Sequence, residues 1–498
     1  MHPRTWLGFA AMCLGMFMAI LDIQIVASSL PAIEAAVGVA GQGISWIQTA
    51  YLIAEVVAIA LTGFLGRAMS LRWLFVLAAG GFTLASAGCA ASETFPVLVA
   101  WRVVQGFCGG ALIPAVFAAV FLLFPPRLHE RATMLAGLLA MLAPTLGPAL
   151  GGWITQTWSW HWLFLVNLAP GVLVTAAVAA MPAPDRPQWR ALRRLDLWAL
   201  LLLVAFLGLL EVLLEEAPSW GWSAPRTLLL AAACAAALAL AVRRLLGRAQ
   251  PLVDLRAFAD RNFAAASAFS FVLGVGLFGS VYMLPLFLGH VRGHGPLGIG
   301  EIMVVTGAAQ LVGAPLAVWA ERRCDPRLVM AVGYALFAAG LGLGGFATVE
   351  ADFEGLFWPQ VLRGLAVMLC LLPATRLALG QLPPHEVENA SGLFNLLRNL
   401  GGACGLALVD TVLSIRVPHH AAALADRLLA GDATAAREVG LDPALLQGAA
   451  TMGASALTMA QPLVEKAALT AAFNEAWWLA ALCVALPLLL VPWLRRAA

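Results

Sequence analysis

The chain has 498 residues, of which 62% are hydrophobic and only 11% charged, with a mean hydropathy of +0.89, whereas an ordinary soluble domain is roughly a quarter charged. This composition excludes a soluble fold and predicts an all-α polytopic membrane protein. The net charge of +2, from 29 basic and 27 acidic residues, does not point to nucleic acid, because in a membrane protein the placement of the charges carries the information.

Polar or Pro/Gly punctuation divides the chain into fourteen apolar runs, each close to the ~20 residues that cross a bilayer as a helix. The first, 6–30, follows Arg4 and continues through Asp22 to Leu30 without a small-x-small cleavage site, so it is expected to remain as a membrane helix and not to be a signal peptide. Runs 44–66 and 71–92 follow; Glu55 lies in the first of them, and Gly63, Arg67 and Arg72 mark the loop between them. Run 95–124 contains Arg102 and Pro114, and run 132–155 contains Gly147-Pro148-Ala149-Leu150-Gly151-Gly152. Run 160–181 completes a first set of six. Runs 197–214, with Glu211, and 225–242 come next. Runs 263–289, 297–320 with Glu301, 327–348, 355–380 with Arg363 and Pro373, 388–414 with Arg398 and Asp410, and 474–494 complete the series. The segment 417–470 is a long polar interruption with Ala- and Leu-rich stretches.

Fourteen alternating spans put both termini and every even-to-odd loop on one side, and twenty of the 29 basic residues fall there, against six on the other side and three within spans. By the positive-inside rule the arginine-rich side is expected to be cytoplasmic, so the chain is expected in the cytoplasmic membrane with both termini inside. The chain also repeats itself. Gly63 to Arg72 resembles Glu321 to Arg327, and Arg102 with Pro114 resembles Arg363 with Pro373. Two six-helix bundles, 1–182 and 251–498, separated by a 183–250 linker with two extra helices, account for both offsets, and such repeats point to a transporter with its substrate site between the halves.

Charges within spans cost roughly 2.5–3.5 kcal/mol each on insertion scales, so those that persist need partners or a function. Asp22 lies eight residues before the outer end of its span, ~12 Å of rise, and Arg102 seven residues into its own from the same side, ~10 Å. The two are expected at one depth, as a structural salt bridge, a proton-carrying site, or both. Glu55 lies a few Å deeper. Glu211, Glu301 and Asp410 are weaker candidates, since a carboxylate near a helix end can snorkel to water. The Gly147–Gly152 run removes backbone donors and lets another helix approach closely, which predicts a kinked packing surface.

Other chemistries find no support. The only lysine is Lys466, outside any GxxxxGK[ST] phosphate loop, so ATP hydrolysis by that route is excluded. His290 and His294 have metal-ligand spacing but no supporting carboxylate or cysteine, so no metal or other cofactor is expected. The eight cysteines are scattered without paired spacing and read as small buried hydrophobes.

Taken together, Leu21-Asp22, Leu30-Pro31, Trp46 to Tyr51, Arg102 with Gln105-Gly106, Gly147-Pro148 with Gly151-Gly152, Trp160-His161-Trp162 with Asn167 and Pro170, Pro251 to Leu255, and Arg398-Asn399 with Gly401-Gly402 resemble the major facilitator superfamily. Within it they are similar to the fourteen-helix drug:proton antiporters, over nearly the whole chain. The resemblance implies export of hydrophobic or amphiphilic drugs in exchange for protons, with Asp22 and Arg102 in coupling and the Gly147–Gly152 run as the motif associated with antiport. Its further implications are small hydrophobic substrates, protons and membrane lipid as partners, and no enzymatic activity. The alternatives are an exporter of one narrow substrate, such as a fatty acid or a metabolite, and an intramembrane enzyme, for which no paired nucleophile and base are found. Some positions depart from the family pattern: Arg67 stands where Asp is usual, Ser70 and Ala143 where Gly is usual, His161 for Arg and Glu211 for Gln. The 417–470 segment resembles the loop of pumps that dock a periplasmic adaptor protein, and an ordered cap fits it equally well.

Overall fold

The computed structural model describes residues 3–37, 46–181, 187, 196–248, 251–380, 382–441 and 454–493, and every regular element among them is helical. The first group comprises α1 (Pro3–Val37), α2 (Trp46–Met69), α3 (Leu71–Ala90), α4 (Phe95–Leu123), α5 (Pro126–Thr157), α6 (Trp162–Leu165) and α7 (Leu168–Ala179). Next come α8 (Leu197–Trp220) and α9 (Pro225–Leu246). The last group is α10 (Arg261–Phe287), α11 (Pro296–Arg323), α12 (Pro326–Gly344), α13 (Phe353–Leu379), α14 (Pro384–Leu429), α15 (Ala433–Val439) and α16 (Ala454–Ala485). Among the described residues thirteen stretches are long and apolar enough to cross a membrane, the short α6 and the longer α7 forming one of them. α5, at 32 residues, is also long enough to cross a membrane, and its stretch 132–149 carries no charged residue.

Helices that are apolar on every side belong in lipid or in a core, and here each group of six spans packs as a bundle. In the first, α1 lies on α4, α5 and α7, and α2 and α3 on α4; in the last, α10 lies on α13, α14 and α16, and α12 on α13 and α16. The bundles meet where α5 packs on α11 and α13, and α14 on α2 and α4. α8 and α9 pair with each other, and α8 also touches α2 and α14, so the inserted pair leans on both bundles. Several spans begin on an aspartate whose carboxylate accepts a backbone N–H of the first turn: Asp196, Asp260, Asp325 and Asp352. These satisfy donors that the helix leaves open at the membrane edge. Hydrogen bonds from Arg244 of α9 hold the Asp196 carboxyl below the usual carboxylate range and tie α8 to α9.

Two sequence expectations are corrected. Span 160–181 is interrupted at Val166–Asn167 between α6 and α7. The span read as 388–414 belongs to a 46-residue helix, ~69 Å at 1.5 Å per residue, more than twice the ~30 Å of a bilayer core. The 417–470 segment, whose Ala- and Leu-rich stretches allowed helix, is largely helical where it is described. The C-terminal part of α14, α15 and the first turns of α16 enclose a small apolar core of Leu424, Leu428, Ala435, Val439 and Val464, while residues 442–453 lie outside the described set.

Candidate functional site

Asp22 and Arg102, placed level by the rise of their helices, meet in an ion pair of 2.6 Å, both side chains being 0% exposed. A buried charge needs its remaining hydrogen-bonding positions filled, and the neighbouring helices fill all but Arg102 Nη2, which has no hydrogen-bond partner among the described residues. Arg102 Nη1 also donates to Gln105 Oε1 at 2.7 Å, and its Nε donates to the Ile47 carbonyl of α2 at 3.1 Å. The guanidinium lies 4.2 Å from the Tyr51 ring centroid, where the ring face attracts a cation. On the other side, Asp22 Oδ1 accepts from Gln105 Nε2 at 3.0 Å and Asn167 Nδ2 at 2.7 Å. Gln105 Nε2 reaches Ser86 Oγ of α3 at 2.9 Å as well. Asp22 thus accepts from three donors at the centre of the first bundle, and Asn167 reaches it from the α6–α7 break.

Gln105, Ser86 and Asn167 received no role from the sequence. Gln105 had a signal, because three residues from Arg102 it shares its helix face. Asn167 had a weaker one, as the polar residue inside an apolar span; Ser86 had none.

Glu55 is 3% exposed on α2 and Glu211 is 7% exposed on α8. The two interact electrostatically, and a turn further along α8 Glu215 accepts a hydrogen bond from Thr49 of α2. Glu301 is exposed, and Asp410 accepts from Tyr282 at 2.9 Å. Arg363 and Arg398 lie buried in the second bundle, away from Asp22. Arg398 faces the first bundle, its guanidinium 5.1 Å from the Phe117 ring of α4.

The glycine run packs on the helix that carries Asp22. A Cβ on Gly147 would fall 2.2 Å from Gln24 Cβ, so α5 and α1 are as close as a glycine permits. Ser29 of α1 donates to the Gly151 carbonyl at 3.2 Å, and Gly152 is buried. Pro148 lies in the same helical stretch, with its side chain outside the described set.

At the arginine-rich end the bundles are locked together. A Cβ on Gly63 would fall 2.5 Å from Asn389 Cα. The Asn389 side-chain amide accepts from the Asp254 N–H at 2.9 Å and donates to the Asp254 carbonyl at 3.0 Å. Arg67, standing where the family usually has Asp, interacts with the carboxylates of Glu388 and Asp254. Arg72 Nη1 donates to the Met181 carbonyl at 3.0 Å. Glu130 of α5 binds Arg322 of α11 at 2.9 Å and Arg376 of α13 at 3.4 Å. Ser70 between α2 and α3 has φ 70 and ψ 152, a region open almost only to glycine, which gives a reason for the glycine usual at that position.

Among the described residues no group of three or more His, Cys, Asp or Glu could hold a metal ion. His294 does have a carboxylate beside it, Asp352 at 3.1 Å, which is also bound by Arg292. The carboxylate comes from the start of α13, remote in sequence.

The family model described as Major Facilitator Superfamily matches residues 12–406. The colistin resistance protein EmrB of Acinetobacter baumannii is 38% identical, covering 84% of this chain and 81% of that protein. The fatty acid resistance protein FarB of Neisseria gonorrhoeae is 29% identical, over 84% and 83%. Among solved structures, the human organic anion transporter MFSD10 superposes with a TM-score of 0.60 at 15% identity, over 97% of this chain and all of that one, a likeness of fold alone.

Proposed function

Because the chain belongs to the Major Facilitator Superfamily, we propose that it is a proton-coupled antiporter exporting hydrophobic or amphiphilic drugs across the cytoplasmic membrane. The observation that carries this reading is the Asp22 carboxylate, sealed from solvent and facing three donors, the Arg102 guanidinium and the amides of Gln105 and Asn167. Ionised, it satisfies all of them. A proton on it cancels the ion pair and places a further donor among donors, so the surrounding helices must rearrange. Its helix, α1, grips α5 through Gln24 and Ser29, and α5 packs on α11 of the second bundle. A change at Asp22 is thereby carried to the interface about which two bundles would rock. The contacts at the arginine-rich end close the central cleft on that side, and the charge distribution supports assigning it, with both termini, to the cytoplasm.

In this reading residues 1–182 and 251–498 are the moving bundles and 183–250 carries the inserted pair. Glu55 is a secondary proton site beside Glu211. One proton moving down ~100 mV supplies ~2.3 kcal/mol, enough to sustain a gradient of about fiftyfold at 1.4 kcal/mol per decade. The cap formed by outer α14, α15 and α16 is a candidate docking surface for a periplasmic adaptor. A fatty acid as the physiological cargo is the second reading, favoured by the similarity to FarB.

The test is drug accumulation in inverted membrane vesicles energised with a proton gradient, with decanoate run alongside. Uptake that survives collapse of the gradient would overturn proton coupling. Uptake of decanoate but of no drug would select the second reading.

A further inference from the structure

The repeat that aligns Arg102 with Arg363 leaves a charge unaccounted for. In the first bundle Arg102 is neutralised by Asp22 of α1. The corresponding helix of the second bundle, α10, contains no Asp or Glu, and the residues it presents to Arg363 are Leu277, Ser280, Val281 and Leu284. Arg363 is 4% exposed, and its Nε and Nη1 have no hydrogen-bond partner among the described residues. The guanidinium lies 5.0 Å from the Trp477 ring, which offers a π face but no charge.

Among the described residues the buried acids of this bundle, Glu321 and Glu388, lie elsewhere, Glu388 beside Arg67. Glu321 is eleven residues along α11 from Gln310, ~16 Å of rise. Asp410 is bound by Tyr282 on the far face of α10.

Arg363 borders a small cavity between α10, α11, α12 and α13, about 10 Å³ for a water-sized sphere, room for about one. Its polar lining is Ser280, Thr306 and Gln310. One turn before Arg363, Gln360 accepts from Thr306 at 2.9 Å and leaves its Nε2 unpaired among the described residues. The unpaired Arg363 donors carry a permanent positive charge into this cavity, and Gln310, whose Oε1 is also unpaired among the described residues, lines it with an amide that can turn its NH₂ inward. Together they form a receptor for a small singly charged anion, because an isolated buried guanidinium is costly and an anion at hydrogen-bond distance offsets that cost. We propose that the Arg363 cavity binds one monovalent anion, chloride or a single carboxylate group, which does in the second bundle what Asp22 does in the first. Ser280, whose hydroxyl lines the cavity from α10, is the position from which a carboxylate could replace it.

The test is thermal unfolding of the purified full-length protein in gluconate exchanged for chloride, acetate or decanoate at constant ionic strength. Chloride or acetate should raise the midpoint of the wild type; saturation at a hundred times the dissociation constant corresponds to a hundredfold shift of the folding equilibrium. Arg363→Met should fold and lose the response. Ser280→Asp should raise the midpoint in gluconate and also lose it. A response to decanoate alone would identify the anion as the head group of an amphiphile and support the site. No response to any of the three anions, or an equal response in Arg363→Met, would overturn it. So would a Ser280→Asp protein that is destabilised and still responds to chloride.

Discussion

Replacing Asp22 by Asn keeps the shape of the side chain and removes its charge. One oxygen becomes an NH₂ group that must face either Arg102 Nη1 or the amides of Gln105 and Asn167, donors in every case. Arg102 keeps the Ile47 carbonyl, Gln105 Oε1 and the Tyr51 ring, so the cost should lie near the lower end of the ~3–5 kcal/mol expected when one partner of a buried pair is removed. Arg102→Ala instead leaves a buried carboxylate without its counter-charge and should reach the upper end. The double variant Asp22→Asn/Arg102→Ala should cost less than the sum, with a coupling of ~1–3 kcal/mol. In function the singles also separate. Asp22→Asn should bind drug yet release no proton on binding and sustain no drug gradient, losing the ~fiftyfold that one proton at ~100 mV can maintain. Drug binding, proton release and thermal stability measured on the three purified variants decide between roles. A stable Asp22→Asn protein that still exchanges protons for drug would refute Asp22 as the carrier and turn attention to Glu55.

Ser70→Gly should stabilise the protein by about 1 kcal/mol, since it relieves a backbone conformation costing ~1–3 kcal/mol in a residue whose hydroxyl is buried without a partner among the described residues; an unchanged or lowered unfolding midpoint would contradict this. Gly147→Leu places a side chain where a Cβ alone meets Gln24 at 2.2 Å, and should cost at least ~1–3 kcal/mol and abolish export or open a proton leak. Normal coupled export in that variant would reduce the run to a tolerated kink. Reporters fused after Arg248 and inserted at Gly431 should report the cytoplasm and the outside respectively, and a cytoplasmic signal at Gly431 would remove the fourteen-span topology.

Composition and the period of the apolar runs were enough to place the chain in a membrane, because lipid makes every span pay separately for each charge and each open backbone group. That rule made Asp22, Glu55, Arg102, Arg363 and Arg398 stand out, and the fixed helical rise made Asp22 and Arg102 level before any packing was known. Which groups enclose the pair was not legible. Gln105, Ser86 and Asn167 come from different helices, and an uncharged polar residue costs too little in a span to mark itself. Hydropathy also stops at the membrane surface, whereas the helix of α14 runs on to Leu429 because an Ala- and Leu-rich segment keeps its backbone bonds in water once α15 and α16 pack on it. Arg67 read only as a departure from the family pattern, because Glu388 and Asp254, with which it interacts, lie far along the chain. The repeat showed that Arg363 matches Arg102; only the packing of α10 against it decided that no carboxylate among the described residues meets it, since a partner for a buried charge is set by which side chains share its cavity and not by their order in the chain.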